Sequence, residues 1–342
     1  MPALELTFDM RRPTWADVAL PELYAAALDI CQWADEHGFQ AVSLGEHHTT
    51  DDSYLTSPIM MASAIAARTR KLQLRMIILA PFYNPVRLTE DLHVLEAISN
   101  GRALPVISAG YRPAEFDMYG LRLEDRLNTV IETINFIKTA GEYKPFSYRG
   151  RQIDLVSPVV TPPPRVLAGA SYPKVIKKLA HSLADGCRPG EVDLYHHFRE
   201  ERLKIGKPDP GPGPGKYGPT FLYVTHEPER MWPIIAPHII HWVQSYAQYA
   251  EQRAQRGGDK LKINHNYKPA ATVDELRANP NYQIVTPEQC LELVKSYGPD
   301  DVLRLAPLAG GLSPKLAWDN INLFEREVLP HLDVQFNPRL LF

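Results

Sequence analysis

Residues 38–48, GFQAVSLGEHH, set the reading of the whole chain. The apolar run from Phe39 to Leu44 reads as a strand, and Glu46, His47 and His48 follow where that strand leaves its sheet. An acid and two imidazoles at a strand's C-terminal end occupy the place where α/β proteins, barrels above all, put their chemistry. Upstream, Pro21 to His37 reads as an amphipathic helix, with Leu23, Ala27, Ile30 and Ala34 near helical spacing and Gly38 as its stop. Downstream, Ser57 and Pro58 read as an N-cap with proline at the first helical position, opening a helix to about Arg68.

The same alternation continues in both directions. Leu4 to Met10 reads as a first strand, Leu72 to Ala80 as a third and Leu104 to Ser108 as a fourth, with helices over Pro85–Ser99 and Arg122–Ala140. The second half adds strands at Arg165–Ala168, Thr220–Thr225 and Val302–Ala306. Its helices are expected at Pro173–Ala184, Val192–Lys204, Pro228–Ala250 and Pro314–Leu329. Strands alternating with helices predict a parallel sheet. An eighth strand, needed to close a barrel, is expected near Gly186-Cys187-Arg188, where the apolar signal is poor. The expected fold is α/β, a (β/α)8 TIM barrel with insertions, in one domain over 1–332 with a tail at 333–342.

Three stretches lie outside a bare barrel. Residues 143–157 read as a hairpin turning at Arg149-Gly150, and 207–219 as a proline- and glycine-rich surface connector. Residues 251–285 form a polar insertion, of the kind that serves as a lid or mobile segment, and are expected to be the least ordered part of the chain.

Composition narrows the function classes. The chain has 342 residues, 44% hydrophobic and 23% charged, with a formal net charge of −3. These are values of an ordinary globular protein, with no basic block suited to nucleic acid or a membrane surface. No apolar stretch spans a bilayer, and Met1 to Met10 has no signal-peptide pattern. Cys31, Cys187 and Cys290 are widely separated, which speaks against a disulfide framework or structural zinc. A cytoplasmic location is expected.

Three segments follow strands on the face where barrel sites are built: Glu46-His47-His48, Ala80 to Arg87, and Gly169-Ala170-Ser171-Tyr172-Pro173. In the last, small residues let backbone N–H groups approach an anion at a helix N-terminus, though taken alone the motif reads more simply as a plain helix start. Adjacent histidines on a strand point to opposite faces, so one of the pair is expected to face a ligand and the other to pack. A metal site would need further ligands. His226 ends a later strand, but no metal-binding histidine pair accompanies it. Tyr83, Tyr111, His226 and Trp242 are candidates for a substrate pocket or for packing.

The chain resembles the bacterial luciferase-like monooxygenases over nearly its whole length. The segments that carry the resemblance are GFQAVSLGEHHTTDDSYLTSPIMMASAIAART, LQLRMIILAPFYNPVRLTEDLHVLEAISNGR, ISAGYRPAEFDMYGL, RVLAGASYPKVIKKLAHSLADG, TPEQCLELV and LFEREVLPHL. The resemblance implies an eight-stranded barrel binding a flavin or deazaflavin at the strands' C-terminal ends. It implies that His47 is the active-site histidine and Glu46 the acid beside the flavin. It places a non-proline cis peptide at Met76-Ile77, a bond that costs about 3–4 kcal/mol and needs enforcing surroundings. Gly169, Ala170, Ser171 and Tyr172 match the phosphate cradle. Ala109 stands where bacterial luciferase has a phosphate-binding arginine, and Arg112, three residues on, is the expected substitute.

The function implied is a monooxygenase that uses O2 and reduced FMN, supplied by a transient flavin reductase partner, to oxidise a small organic substrate. The chain reads as having no Gly-x-Gly-x-x-Gly dinucleotide turn of its own, which fits a diffusible reduced flavin. The first alternative is a deazaflavin-dependent hydride-transfer enzyme, which Ala109 favours. The second is a flavin-binding protein without catalysis, against which intact Glu46 and His47 speak. A homodimer through the helices at 57–68 and 85–99 is also implied, with the alanines of the first helix reading equally well as internal packing.

Overall fold

The computed structural model describes residues 2–155, 158–255 and 269–333. Its elements, in chain order, are β1 (Ala3–Phe8), α1 (Leu20–Glu36), β2 (Ala41–Leu44), α2 (Pro58–Arg68), β3 (Gln73–Leu79), α3 (Pro85–Ser99), β4 (Ala103–Ser108), α4 (Pro113–Met118) and α5 (Arg126–Ala140). There follow β5 (Phe146–Tyr148), β6 (Arg151–Ile153), β7 (Leu167–Ala170), α6 (Pro173–Ala180), β8 (Gly186–Pro189), α7 (Val192–Lys204) and β9 (Phe221–Val224). The last are α8 (Pro228–Gln255), α9 (Val273–Arg277), β10 (Tyr282–Val285), α10 (Pro287–Lys295), β11 (Val302–Leu305) and α11 (Pro314–Glu327). The chain divides into two compact units.

The first unit holds the described residues of Met1–Ser43, His47–Thr56 and Pro214–Leu340. Here β1 runs parallel to β11, with Ala3 opposite Val302 and Leu6 opposite Leu305. Leu4, Glu5 and Leu6 are all fully buried on this ladder, as a strand covered on both faces requires. A second parallel pair, β9 with β10, places Phe221 opposite Tyr282. Strand β10 lies in the stretch read as a polar insertion, which is thus partly ordered structure: α8 enters it and α9 and β10 follow. The expectation of greatest mobility falls partly on 256–268, which lie outside the described residues.

The second unit holds the described residues of Leu44–Glu46 and Ser57–Gly213. Strands β3, β4, β7 and β8 form a parallel ladder in that order. The hairpin is present as β5 and β6, with Arg149 and Gly150 both in the left-handed region at its turn. Strand β8 occupies the place where the apolar signal was poor. Helix starts follow local chemistry: Asn84 accepts from the Val86 N–H ahead of α3, and Thr286 and Ser313 cap α10 and α11, each followed by proline. Ser57 makes no such side-chain bond, so α2 begins on Pro58 alone.

Residues 213–218 do spell Gly-Pro-Gly-Lys-Tyr-Gly, the spacing of a dinucleotide turn. No helix opens from it: the segment leads to β9, and its glycines answer to packing. A Cβ on Gly213 would lie 2.3 Å from the Tyr195 ring, and one on Gly215 would lie 2.1 Å from an Asp301 carboxylate oxygen. The connector is therefore fitted against its surroundings, and it is no nucleotide cradle. Among the described residues, no helix is long and apolar enough to cross a membrane.

One buried cation ties the second unit together. Arg102 donates to the carbonyls of Ala66, Thr69 and Leu72, to the Thr69 hydroxyl and to the Ser99 carbonyl, at 2.6–3.1 Å. The Ala66, Thr69 and Ser99 carbonyls lie at the C-terminal ends of α2 and α3, where helices leave acceptors unsatisfied and favour positive charge, and Leu72 directly precedes β3. Arg102→Met is expected to lower unfolding stability by about 3 kcal/mol, read from the urea midpoint at unchanged m-value. A loss below about 1 kcal/mol would show that water replaces the guanidinium at little cost.

Candidate functional site

Strand β2 ends at Leu44, so Glu46, His47 and His48 all lie beyond the last ladder residue. The alternation expected to send the two rings to opposite faces does not reach them, and both are buried. What fixes His47 is the path of the loop. Its N–H donates to Leu55 O at 3.1 Å, Leu55 N–H to Asp9 O at 2.8 Å, and Arg12 N–H to Asp52 O at 2.5 Å. The loop after β2 therefore folds back along the residues that leave β1. Met10, Thr49 and Ser53 all take positive φ, at 58°, 52° and 57°. Three non-glycine residues in the left-handed region of one short pair of segments, one of them β-branched, mark strain that functional sites commonly hold.

Arg11 sits at the centre of this cluster without exposure to solvent. Its Nε donates to Asp9 at 3.0 Å and its Nη1 to Asp52 at 3.1 Å. The guanidinium carbon lies 4.7 Å, 4.6 Å and 5.7 Å from the ring centroids of Tyr54, Tyr246 and Tyr249. The same three rings surround His47, at 4.9 Å, 6.2 Å and 5.4 Å between centroids. The Tyr54 and Tyr246 hydroxyls are 3.2 Å apart. His241 Nε2 is 2.9 Å from Asp52 Oδ2. Burial acts to raise the Asp52 pKa, but the His241 hydrogen bond and the Arg11 charge lower it to about 2. Burial also pushes the Tyr54 and Tyr246 phenols up, so both remain protonated donors.

In the second unit, Glu46 accepts from the Leu79 N–H at 2.7 Å and from the Tyr83 hydroxyl at 2.8 Å. It is buried and fixed at the end of β3, and Tyr83 is raised above its ordinary pKa by burial and by this carboxylate. Phe82 stacks on Tyr119 at 4.6 Å and meets Phe116 edge-on at 5.1 Å. The Met76–Ile77 expectation is corrected: among the described residues the cis peptide is Thr161–Pro162. Met76 and Ile77 run in regular parallel register with Pro105 and Val106, which leaves no irregular surroundings to enforce a cis bond. Met76 is fully buried, while Ile77 packs with Leu104, Val106 and Leu167.

Gly169 and Ala170 belong to β7, so the expected cradle begins inside a strand. A Cβ on Gly169 would lie 2.0 Å from Ser108 Oγ and 3.0 Å from Val106 Cγ1, so close packing alone accounts for the glycine. Ser171 is exposed. Tyr172 precedes α6 without a side-chain cap; its carbonyl accepts from the Val175 and Ile176 N–H groups, and Pro173 has no N–H, so Lys174 carries the remaining first-turn amide. Arg112 is buried against Glu115, with Nη1 3.5 Å from Oε1, so its charge is already matched. Ala109 lies between β4 and this pair. Of the pocket candidates, Tyr83 joins Glu46. His226 is an exposed partner of Glu327 at 3.2 Å, and Trp242 belongs to the apolar core of the first unit. Tyr111 is half-buried beside Arg112 in the chain.

Sequence reasoning passed over Asp9, Arg11, Asp52, Tyr54, His241, Tyr246 and Tyr249. Asp9 and Arg11 directly follow β1, so the rule that drew attention to Glu46 and His47 applied to them equally.

A family model described as luciferase-like monooxygenase matches residues 9–298. The oxygenase component of a flavin-dependent trigonelline monooxygenase from Acinetobacter baylyi is 23% identical over 269 residues, covering 75% of this chain and 69% of that relative. Among solved structures, the oxygenating constituent of 3,6-diketocamphane monooxygenase from Pseudomonas putida, a type II Baeyer-Villiger enzyme in complex with FMN, superposes with TM-score 0.70 at 15% identity. It covers 98% of this chain and 99% of that one. An F420-dependent secondary alcohol dehydrogenase bound to an F420–acetone adduct has TM-score 0.65 at 15% identity, covering 97% and 99%.

Two outcomes test the packing. Gly169→Ala is expected to cost about 1–3 kcal/mol by overpacking, with part of the loss recovered in Gly169→Ala/Ser108→Gly, as read by thermal unfolding of both variants. Equal stability of Gly169→Ala and the parent would show that Ser108 moves aside freely. For Asp52 the lowered pKa makes its stabilisation complete above about pH 4 and lost as the pH falls through about 2. Asp52→Asn should lose about 1–2 kcal/mol near neutrality and unfold less steeply with acid below pH 4. An unchanged acid limb would remove Asp52 as its source.

Proposed function

The chain belongs to the luciferase-like monooxygenase family, and from that premise we propose that it is a flavin-dependent monooxygenase oxidising a small organic substrate. The observation that carries the proposal is His47, a buried imidazole held past the end of β2 by its own backbone bond to Leu55 and walled by three tyrosine rings. An imidazole so fixed can take a proton and return it.

The residues present fit a flavin. Ile77, half-buried over the Leu104–Val106–Leu167 core, offers an apolar surface, and exposed Ser171 with the Lys174 N–H at the start of α6 offers hydroxyl and amide donors for a phosphate. Bound reduced flavin supplies the electrons that let one oxygen atom of O2 enter the substrate while the other leaves as water. Glu46, fixed by Leu79 and Tyr83, orders the end of β3 beside Ile77. His47 moves a proton, and the tyrosine rings around it keep bulk water from the imidazole. The oxygenase-component relative supports reduced flavin delivered by a separate reductase.

A deazaflavin-dependent hydride transfer is the second reading, and one observation favours it. Ala109 brings no side-chain donor, and Arg112, the expected substitute, lies 3.5 Å from Glu115, so a phosphate dianion would share that cation with a carboxylate. We further propose that the strands close into an eight-stranded barrel forming a single domain, and that the protein acts in the cytoplasm. The exposed Met60 on α2 and Val94 and Ile98 on α3 support a homodimer through those helices.

Oxygen uptake with reduced FMN, set against turnover with reduced deazaflavin, separates the two readings. In the first, His47→Ala should keep flavin binding but lose product on the order of 10²–10⁴-fold, with hydrogen peroxide formed instead. Equal product from His47→Ala and the parent at matched flavin occupancy would remove His47 from the mechanism.

A further inference from the structure

We propose that Arg11 is a positioning residue for His47, acting through the three tyrosines that touch both. The inference rests on the reading above only in taking His47 as the reacting imidazole. No part of the ring wall is placed by local chain geometry alone. Tyr54 is on the loop after β2, whereas Tyr246 and Tyr249 are on α8. What these rings share is one guanidinium, against which all three lie within 6 Å. A cation over an aromatic face is attracted by the ring quadrupole, more strongly when desolvated. Arg11 is therefore the common anchor of a wall whose other side is the imidazole.

The anchor is itself held at two points. Asp9 fixes Nε from the same segment, and Asp52 fixes Nη1 from the loop that bears His47 and Tyr54. His241, on the same helix as Tyr246 and Tyr249, fixes Asp52 in turn. The exit of β1, the loop after β2 and helix α8 thus meet at one fork. A guanidinium presents its donors in a rigid planar array and stacks on rings, whereas an ammonium is a compact point charge. Lysine would keep the charge and lose the fork.

The test compares Arg11→Met and Arg11→Lys in the parent and in the His47→Ala background. Product formed per O2 consumed with reduced FMN should fall about tenfold to a hundredfold in Arg11→Met. Arg11→Lys should fall less. In the His47→Ala background neither should cause a further fall, because the two changes act through one group. Equal multiplicative losses in both backgrounds would overturn the proposal and leave Arg11 a general stabiliser. A second readout needs no turnover. The His47 Hε1 resonance of the flavin-free protein senses the ring currents of Tyr54 and Tyr249, and it should shift in both variants while that of exposed His226 stays in place. An unmoved His47 resonance would overturn the proposal. If Arg11→Met does not fold, the Arg11→Lys comparison decides by the same outcomes. If the parent consumes no oxygen with reduced FMN, the flavin reading fails while the resonance still decides the positioning.

Discussion

A guanidinium with no access to water must have its charge matched where it lies, and at Arg11 that requirement draws three distant pieces of chain together. Desolvation of an unpaired cation costs several kcal/mol. Two carboxylates and three ring faces meet that cost here. Because Asp52 stands on the loop that begins with His47, compensating the cation also sets where that loop runs. The positive φ values at Met10, Thr49 and Ser53 show that the backbone accepts unfavourable conformations to reach this arrangement.

The second unit solves a different problem with similar chemistry. Parallel strands need helices returning over them, and each helix end leaves carbonyls without partners. Arg102 meets that need for α2 and α3, which leaves the ends of β3 and β4 free to carry Glu46's partners and the Phe82–Tyr119 stack. Stability chemistry and candidate site chemistry are thus separated along the strands, as is usual where parallel strands emerge.

Much of this was legible in the chain. Leu72–Ala80 and Leu104–Ser108 read as strands because both faces are covered and each holds an apolar stretch, Met76–Ala80 and Leu104–Ile107. Strand β8 was faint because Gly-Cys-Arg-Pro pairs through its backbone with little apolar signal. Strand β10 was missed because Tyr282 and Ile284 point inward from a polar stretch only four residues long. The alternation argument for the histidines failed because the ladder stops at Leu44. Arg11 shares that position past the end of a strand, but a lone arginine there looks like surface charge. Its burial depends on Asp52, 41 positions away, and on rings of α8, which no local periodicity connects to it.

A crystal soaked with FMN provides the most direct measurement of whether these residues serve a flavin. The expected result is difference density for the ring system beside Ile77, with phosphate at Ser171 and the α6 N-terminus, and with the Arg11 fork and the His47 ring held as they are here. Fully occupied flavin density elsewhere on the protein, or none at saturating FMN in crystals whose solvent channels reach Ser171, would contradict it.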